Sequence, residues 1–216
     1  MTASLAPLHL VEPVAASGFA SYAWLMIAVP LASAAILLLL GRRCDSWGHL
    51  LATIASWASF LVGALIVAQM LGADEVSRRM TRTLFTWIPA GEFSVDFGLL
   101  VDPLSMTFVV LVTFVGSLIH VYSIAYMAHD VDRRRFFAYL NLFIAAMLTL
   151  VLADSYAVLF VGWEGVGLAS YLLIGFWNRV PANARAAKKA FLMNRVGDMG
   201  MLLAMMVMVA NFSSVR

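Results

Sequence analysis

The sequence has 216 residues, of which 63% are hydrophobic and 12% are charged, whereas an ordinary soluble domain has about 25% charged residues. This composition excludes a water-soluble globular fold, and the formal net charge of +2 is too small to predict a nucleic-acid partner. A single cysteine, Cys44, excludes an internal disulfide and offers no ligand spacing for zinc or an iron–sulfur cluster. We therefore expect a membrane protein with no metal or cofactor in this chain.

Six apolar segments are long enough to cross a membrane as helices, at about 1.5 Å per residue. They cover residues 22–40, 50–71, 104–127, 136–152, 156–177 and 190–212. We predict an all-α, polytopic membrane helix bundle of about six helices, which makes residues 1–216 a single transmembrane unit. Because only 153–155 separate the fourth and fifth segments, these helices should be antiparallel neighbours, with Asp154 at the membrane face.

The stretch between the second and third helices predicts β-structure. Apolar residues at positions 93, 95, 97, 99 and 101 alternate with residues of other types at 94, 96 and 98, and this period of two is typical of a half-buried strand. The apolar run 84–88 and the chain-breaking residues 89–92 precede it. We therefore predict a short extramembrane β-hairpin over 83–101, lying on the membrane surface.

The distribution of basic residues predicts the orientation of the helices. One set of alternate loops contains Arg42, Arg43, Arg133, Arg134, Arg135, Arg179, Arg185, Lys188 and Lys189, and the other contains Arg78, Arg79, Arg82 and Arg216. The side richer in Lys and Arg usually faces the cytoplasm. Both chain ends and the hairpin are therefore expected on the outer side.

Glu164 is the residue that points most directly to function. It is near the middle of the predicted fifth helix, between glycines at 162, 165 and 167 that permit close helix approach or leave room for water. A carboxylate at this depth requires a charged partner, water or a functional role. A nearby cation that moves could make it gain and lose a proton. The alternative is a permanently protonated or statically paired structural glutamate.

The sixth helix carries Arg195 and Asp198, which are three residues apart and therefore on one face. Lys188, seven residues before Arg195, is on nearly the same stripe, so these residues form a polar line that could feed protons into the membrane. Two alternatives remain at this point. The pair could neutralise itself as an intrahelical salt bridge, and Lys188 could anchor the helix end at the membrane surface.

His120 is in the later part of the third helix, and imidazole titrates near neutral pH. It could therefore relay protons. The alternative is a hydrogen-bonded structural histidine.

Several motifs together resemble the L-type antiporter-like subunit of respiratory complex I. They are VDPLS at 101–105, LIH at 118–120, RFFAYLNLF at 135–143, LAD at 152–154, GWEGVGL at 162–168, SYLLIGF at 170–176, KAF at 189–191 and RVGD at 195–198. The resemblance runs in order from about 84 to 212, whereas the first eighty residues match mainly as two hydrophobic helices. Members of this family continue with many more helices, so the sequence resembles their N-terminal portion.

This resemblance implies a proton-translocating membrane subunit of an NADH:quinone oxidoreductase, in the inner membrane of a bacterium. It implies a central role in the proton path for Glu164 and a match of Arg195 and Asp198 to the family's charged pair in the sixth helix. Flavin and iron–sulfur centres are expected in partner subunits, with no redox site in this chain. The expected partners are other membrane subunits, especially a neighbouring antiporter-like one, and the lipid bilayer.

Two alternatives to this function remain. The large subunit of a multi-subunit sodium/proton antiporter shares the fold and the buried glutamate, although its fifth helix does not usually read Gly-Val-Gly after Trp-Glu. A purely structural membrane anchor of a redox complex is the other alternative.

Overall fold

A computed structural model describes residues 12–90, 93–212 and 214–215. Among these residues, six helices are long and apolar enough to cross a membrane. They are α1 (Ala23–Leu39), α2 (Gly48–Leu71), α3 (Pro103–Tyr126), α4 (Arg133–Val151), α5 (Tyr156–Ile174) and α6 (Pro181–Phe212). The predicted fold class, a helix bundle with a small β-structure between the second and third helices, is confirmed.

The β-structure is a small three-stranded sheet. Strand β2 (Met80–Ala90) pairs antiparallel with β3 (Phe93–Val101), and a two-residue strand β1 (Val14–Ala15) pairs in parallel with the start of β2. The alternation in β3 has its expected effect, since Val95, Leu99 and Val101 are buried. Strand β1 was not predicted, because two residues are too few to show a period of two.

The start of α3 and the start of α5 follow from local capping. Asp102 accepts a hydrogen bond from the backbone N–H of Ser105 at 2.7 Å, and Pro103 occupies the first turn, where no N–H is needed. Ser155 caps α5 in the same way through the N–H of Val158, at 3.4 Å. These caps stabilise the first turn of each helix.

The sixth helix begins at Pro181, nine residues before the predicted start at 190. Hydropathy left out this first part of the helix because Arg185, Lys188 and Lys189 are charged, and the predicted bounds of the membrane-crossing segment stay a prediction. Pro181 is suited to a first helical position, and the four alanines between 182 and 187 have the highest helix propensity of any residue. The basic residues of this stretch are therefore helical and not in a loop, while α5 ends at Ile174, before the predicted 177.

Helices α1 to α4 form the packed part of the bundle, and α5 and α6 are added on one side. One core cluster lies near the sheet and includes Met26, Ile66 and Leu148, and a second near the opposite end includes Leu37 and Phe137. The apolar window of α4 is 50% buried, whereas that of α6 is 11% buried. Within the described part of the chain, α6 packs mainly on α5, so most of its surface is open.

Backbone hydrogen bonds gather four segments at one end of the bundle. Val14 N–H donates to the Arg79 carbonyl, Leu100 N–H to the Leu152 carbonyl and Tyr156 N–H to the Val215 carbonyl. Strand β1, the hairpin, the α4–α5 link and the segment after α6 are therefore on the same side, as predicted. Arg216, which was counted in the orientation argument, is outside the described residues, and the side of the membrane that this end faces stays a prediction.

Candidate functional site

Glu164 lies midway along α5, the ninth of its nineteen residues. Since each helical residue rises about 1.5 Å, its backbone is about 12 Å from the start of the helix, near the middle of a membrane. Its side chain is 26% exposed and faces α6. Glu164 is therefore at the middle of its helix, and its depth in the membrane stays a prediction.

The glycines beside Glu164 bring α5 close to α4. A Cβ atom at Gly162 would overlap the backbone of Leu150, and one at Gly165 would meet the Cβ of Ala146 at 2.8 Å. Of the two purposes predicted for these glycines, the structure shows close helix approach. This packing holds one face of α5 against α4 and turns the Glu164 side toward α6.

Arg195 on α6 lies between two carboxylates. Its Nη1 is 2.6 Å from Oε1 of Glu164 and 3.5 Å from Oδ2 of Asp198. The interhelical contact is the shorter of the two. The intrahelical salt bridge of Arg195 and Asp198 is therefore present, but the guanidinium pairs more closely with Glu164 of α5.

Asp198 has a second partner, the indole of Trp163. Trp163 Nε1–H donates to Oδ1 of Asp198 at 2.8 Å, and the Asp198 side chain is only 5% exposed. A hydrogen bond from a fixed donor compensates much of the cost of burying a carboxylate. Trp163 and Glu164 are adjacent on α5, so one turn of this helix provides a hydrogen-bond donor for Asp198 and a carboxylate for Arg195.

The cluster contains two carboxylates and one guanidinium, and the described residues bring no second cation into contact with it. Arg195 also lies over the ring of Phe191, with Cζ at 4.8 Å from the ring centroid. Because a single positive charge serves two negative groups, a small shift of Arg195 toward either carboxylate leaves the other less neutralised. This is a suitable arrangement for taking up and releasing a proton.

Sequence reasoning did not identify Trp163 and Phe191 as members of the cluster. Trp163 was noted only as part of the glycine-rich motif, although its position next to Glu164 was a usable signal. Phe191 is four residues before Arg195, and side chains at this spacing meet on one helix face. Both contacts could have been suggested from spacing once Arg195 was placed against Glu164.

Lys188 lies outside the cluster. It is exposed near the start of α6 and lines a cavity of about 150 Å³ together with Arg135, Tyr139 and Tyr171. The rings of Tyr171 and Phe191, 5.3 Å apart, are between this cavity and Arg195 along the α5–α6 contact. Phe191 lies on the same face of α6 as Lys188 and Arg195, three residues after the first and four before the second. The polar line predicted from Lys188 to Arg195 and the role of Lys188 stay predictions.

His120 also lies apart from the cluster. It is on α3, only 1% exposed, and its Nδ1 is 2.8 Å from the backbone carbonyl oxygen of Gly116. Its ring packs near Phe137 of α4, with centroids 5.8 Å apart. The structure thus brings together Glu164, Arg195 and Asp198, and leaves Lys188 and His120 at separate places.

Two family models match the chain. The model described as "NADH-Ubiquinone oxidoreductase (complex I), chain 5 N-terminus" matches residues 87–137. The model described as "NADH:quinone oxidoreductase/Mrp antiporter, TM" matches residues 153–216. The second range contains Glu164, Arg195 and Asp198, so the charged cluster lies inside the matched segment.

A curated relative gives a closer match. NADH-quinone oxidoreductase subunit L of Mycobacterium tuberculosis is 61% identical to this chain over 193 residues. The match covers 89% of this chain and 30% of the relative. The chain therefore spans about a third of the length of this relative.

Two solved structures have a similar fold. A chain of the membrane-bound sulfane sulfur reductase, an archaeal respiratory membrane complex, matches with a TM-score of 0.74 and 17% identity, over 91% of this chain and 38% of that one. At this identity the match shows the fold alone. A chain of the Mrp complex from Dietzia sp. DQ12-45-1b matches with a TM-score of 0.65 and 28% identity, over 90% of this chain and 20% of that one.

Proposed function

Since this chain belongs to the family of L-type antiporter-like membrane subunits of NADH:quinone oxidoreductase, we propose that it forms part of the proton-translocating machinery of such a complex. In this function, electron transfer from NADH to quinone in other subunits drives proton pumping through the membrane part. Flavin and iron–sulfur centres are in those partner subunits, and the chain itself contributes no redox site. The protein is a multi-pass component of a bacterial inner membrane.

The observation that carries this proposal is the position of Arg195 between Glu164 and Asp198. When Arg195 pairs with Glu164, the positive charge favours the ionised carboxylate. When Arg195 moves toward Asp198, Glu164 loses its counter-charge at mid-membrane depth and binds a proton, because an unpaired charge there is disfavoured by at least about 2.5 kcal/mol. Alternation between the two pairings loads and unloads Glu164.

Lys188 is proposed to supply protons from the basic end of α6. It is exposed, and its amine has no hydrogen bond or ion pair within the described ranges. Seven residues, or about 10 Å along the helix, separate it from Arg195. The aromatic pair of Tyr171 and Phe191 lies on this route, so proton entry requires movement of these rings or water beside them.

The open surface of α6 supports a protein partner at this position. Arg195 is 45% exposed, although it lies halfway along a membrane helix. Charged side chains at this depth face protein or water and not lipid. The α5–α6 side of the bundle is therefore covered by other protein in the complex. A neighbouring antiporter-like subunit is one such partner.

The test of the proposal is Glu164→Gln in the full complex, reconstituted in vesicles. The amide keeps the size of the side chain and cannot carry the charge that pairs with Arg195. We expect NADH oxidation to continue while the number of protons pumped per NADH falls. The matched control is Asp74→Asn, an exposed acid between α2 and β2, which should leave the ratio unchanged.

Measurements of proton pumping and NADH oxidation also distinguish the proposed function from its two alternatives. The second candidate, a sodium/proton antiporter subunit, has support from the 28% identity to a chain of the Mrp complex. It requires sodium-dependent proton movement without quinone reduction. A structural anchor requires unchanged pumping in Glu164→Gln, and that result would remove Glu164 from the proton path.

A further inference from the structure

A polar cavity of about 150 Å³ lies between α4, α5 and the first turns of α6, at the basic end of the bundle. Its polar lining consists of Arg135 and Tyr139 of α4, Tyr171 of α5, Asn178 of the link after α5, and Lys188 of α6. Of these residues, the proposed proton path uses only Lys188. The charged cluster at Glu164 therefore does not explain why these side chains are together.

The cavity lies where α5 leaves the membrane. Helix α5 has 19 residues and is therefore about 28 Å long, close to the thickness of about 30 Å of a hydrocarbon core. A Cβ atom at Gly175, directly after α5, would be 3.1 Å from the Cβ of Ala187, so Lys188 is level with this end of α5. The polar lining is therefore at the depth of the lipid headgroups.

The lining offers hydrogen-bond donors for which the protein provides no acceptor. The hydroxyl oxygen of Tyr139 accepts from Nε and Nη2 of Arg135, at 3.3 and 3.1 Å, and its own hydrogen is left to donate. Tyr139 is buried, at 7% exposure. Among the described residues, the ammonium of Lys188, the hydroxyl of Tyr171 and the amide of Asn178 form no hydrogen bond.

The cavity also has an excess of positive charge. Nη1 of Arg135 is 3.4 Å from Oδ2 of Asp132, so this cation has a carboxylate partner. Lys188 has no ion pair within the described ranges. A phosphodiester carries one negative charge, its oxygens only accept hydrogen bonds, and both guanidinium and ammonium groups bind it well. One such group would match the excess charge and the unused donors of the cavity.

We propose that this cavity binds the phosphate group of an anionic phospholipid, whose acyl chains extend into the bilayer beside α5 and α6. The phosphate oxygens accept hydrogen bonds from Lys188, Arg135 and Tyr139. Basic pockets between membrane helices are a known type of binding site for anionic headgroups. A zwitterionic phospholipid fits less well, because its headgroup would add a cation to a cavity whose described lining includes no acidic side chain.

Lipid binding at this cavity does not depend on the proposed proton path. Arg135 and Tyr139 have no part in that path, and Lys188 contributes its charge and its position to the lipid site. Lipid binding and proton pumping are measured separately. Either proposal can therefore fail while the other stands.

Photo-cross-linking in the assembled complex tests the site. The probe is a phosphatidylglycerol with a photoreactive headgroup, in vesicles of phosphatidylcholine that contain the complex. We expect cross-links to this subunit within residues 135–139 and 171–188, identified by mass spectrometry, and competition by unlabelled phosphatidylglycerol.

Three results of this experiment would overturn the proposal. Absence of cross-links in these segments would show that no anionic headgroup is near the cavity. Equal competition by phosphatidylcholine would indicate contact with lipid but no recognition of the headgroup. Equal competition by inorganic phosphate would indicate a site for the free anion and not for a lipid.

Two substitutions each remove one positive charge from the cavity, Arg135→Gln and Lys188→Gln. Each should lower cross-linking per assembled subunit about fivefold, because a basic residue near the membrane surface contributes about 1 kcal/mol to the attraction of anionic lipid. Lys188→Arg keeps the charge and should retain cross-linking. Unchanged cross-linking in both glutamine variants would contradict the proposal.

The matched control is Arg43→Gln. Arg43 is exposed in the link between α1 and α2, at the same end of the bundle, and does not line the cavity. This substitution removes the same charge and should leave cross-linking unchanged. An equal decrease in Arg43→Gln would show that only the overall charge of this end attracts the lipid, and the proposed site would be wrong.

Discussion

At the scale of single residues, the α5–α6 cluster contains more negative than positive side chains. Glu164 and Asp198 share one guanidinium, and Asp198 is additionally held by the Trp163 indole. The two carboxylates are therefore not equivalent. Asp198 is buried and accepts a hydrogen bond from Trp163, whereas Glu164, among the described residues, has its polar contact with Arg195, at 2.6 Å. The proposed proton exchange is therefore assigned to Glu164 and not to Asp198.

Asp198→Asn tests whether this imbalance of charge is needed. The asparagine oxygen can still accept the Trp163 hydrogen bond, so packing and assembly should be retained. Arg195 then has one negative partner and stays with Glu164, which we expect to lower proton pumping per NADH on the order of tenfold, equivalent to about 1.4 kcal/mol. Proton uptake by vesicles containing the assembled complex measures the effect.

The matched control for Asp198→Asn is Asp130→Asn. Asp130 also accepts a hydrogen bond from an indole, that of Trp177, at 2.9 Å, but it lies in the link between α3 and α4. This substitution should leave pumping unchanged. Equal effects of the two substitutions would show that the lost charge of Asp198 has no specific role.

At the scale of elements, the rotation of α5 about its axis determines which residues meet α6. Gly162 and Gly165 let α5 approach α4, and this contact leaves Trp163 and Glu164 directed toward α6. A helix with larger residues at these two positions could not lie as close to α4. The glycines therefore position the glutamate through a helix contact and not by making space around it.

Gly162→Ala tests this positioning role. Its methyl group would overlap the Leu150 backbone, so α5 must move away from α4, at a cost of about 1–3 kcal/mol. We expect a lower melting temperature of the assembled complex and reduced pumping. Gly200→Ala on α6 is the control, since a Cβ atom there meets nothing within 4 Å in the described structure, and its melting temperature should not fall.

Hydropathy was sufficient to predict the six helices. Hydropathy and residue spacing together were also sufficient to single out Glu164, Arg195 and Asp198 as charged residues within predicted helices. The hydropathy of each segment predicts a membrane helix without knowledge of its neighbours, whereas the start of α6 depended on recognising Pro181 and the alanines as helix-forming. The pairing of Glu164 with Arg195 could not be predicted in the same way. This pairing depends on how α5 and α6 are rotated about their axes, and the two residues are 31 positions apart in the sequence. Lys188 is separate because it lies about two turns before Arg195 on α6, and His120 is separate because it is on α3, which packs on α2 and α4.

At the scale of the whole molecule, the two ends of the bundle differ in structure and in charge. The sheet, the α4–α5 link and the segment after α6 are at one end, and the arginine-rich start of α4 is at the other. At that second end Arg134 pairs with Asp45 at 3.0 Å and ties α4 to the link between α1 and α2. The excess of basic residues at this end predicts that it faces the cytoplasm.

Cysteine labelling of the complex in intact cells tests this orientation. Asp74→Cys places a thiol at the sheet end, and His129→Cys places one at the basic end; both positions are exposed, whereas the native Cys44 is buried. A membrane-impermeant maleimide should label Asp74→Cys before permeabilisation and His129→Cys only after it, because the reagent reaches only the outer surface of a closed membrane. The reverse pattern would place the sheet in the cytoplasm, and the proposed entry of protons at the Lys188 end of α6 would then begin on the outer side.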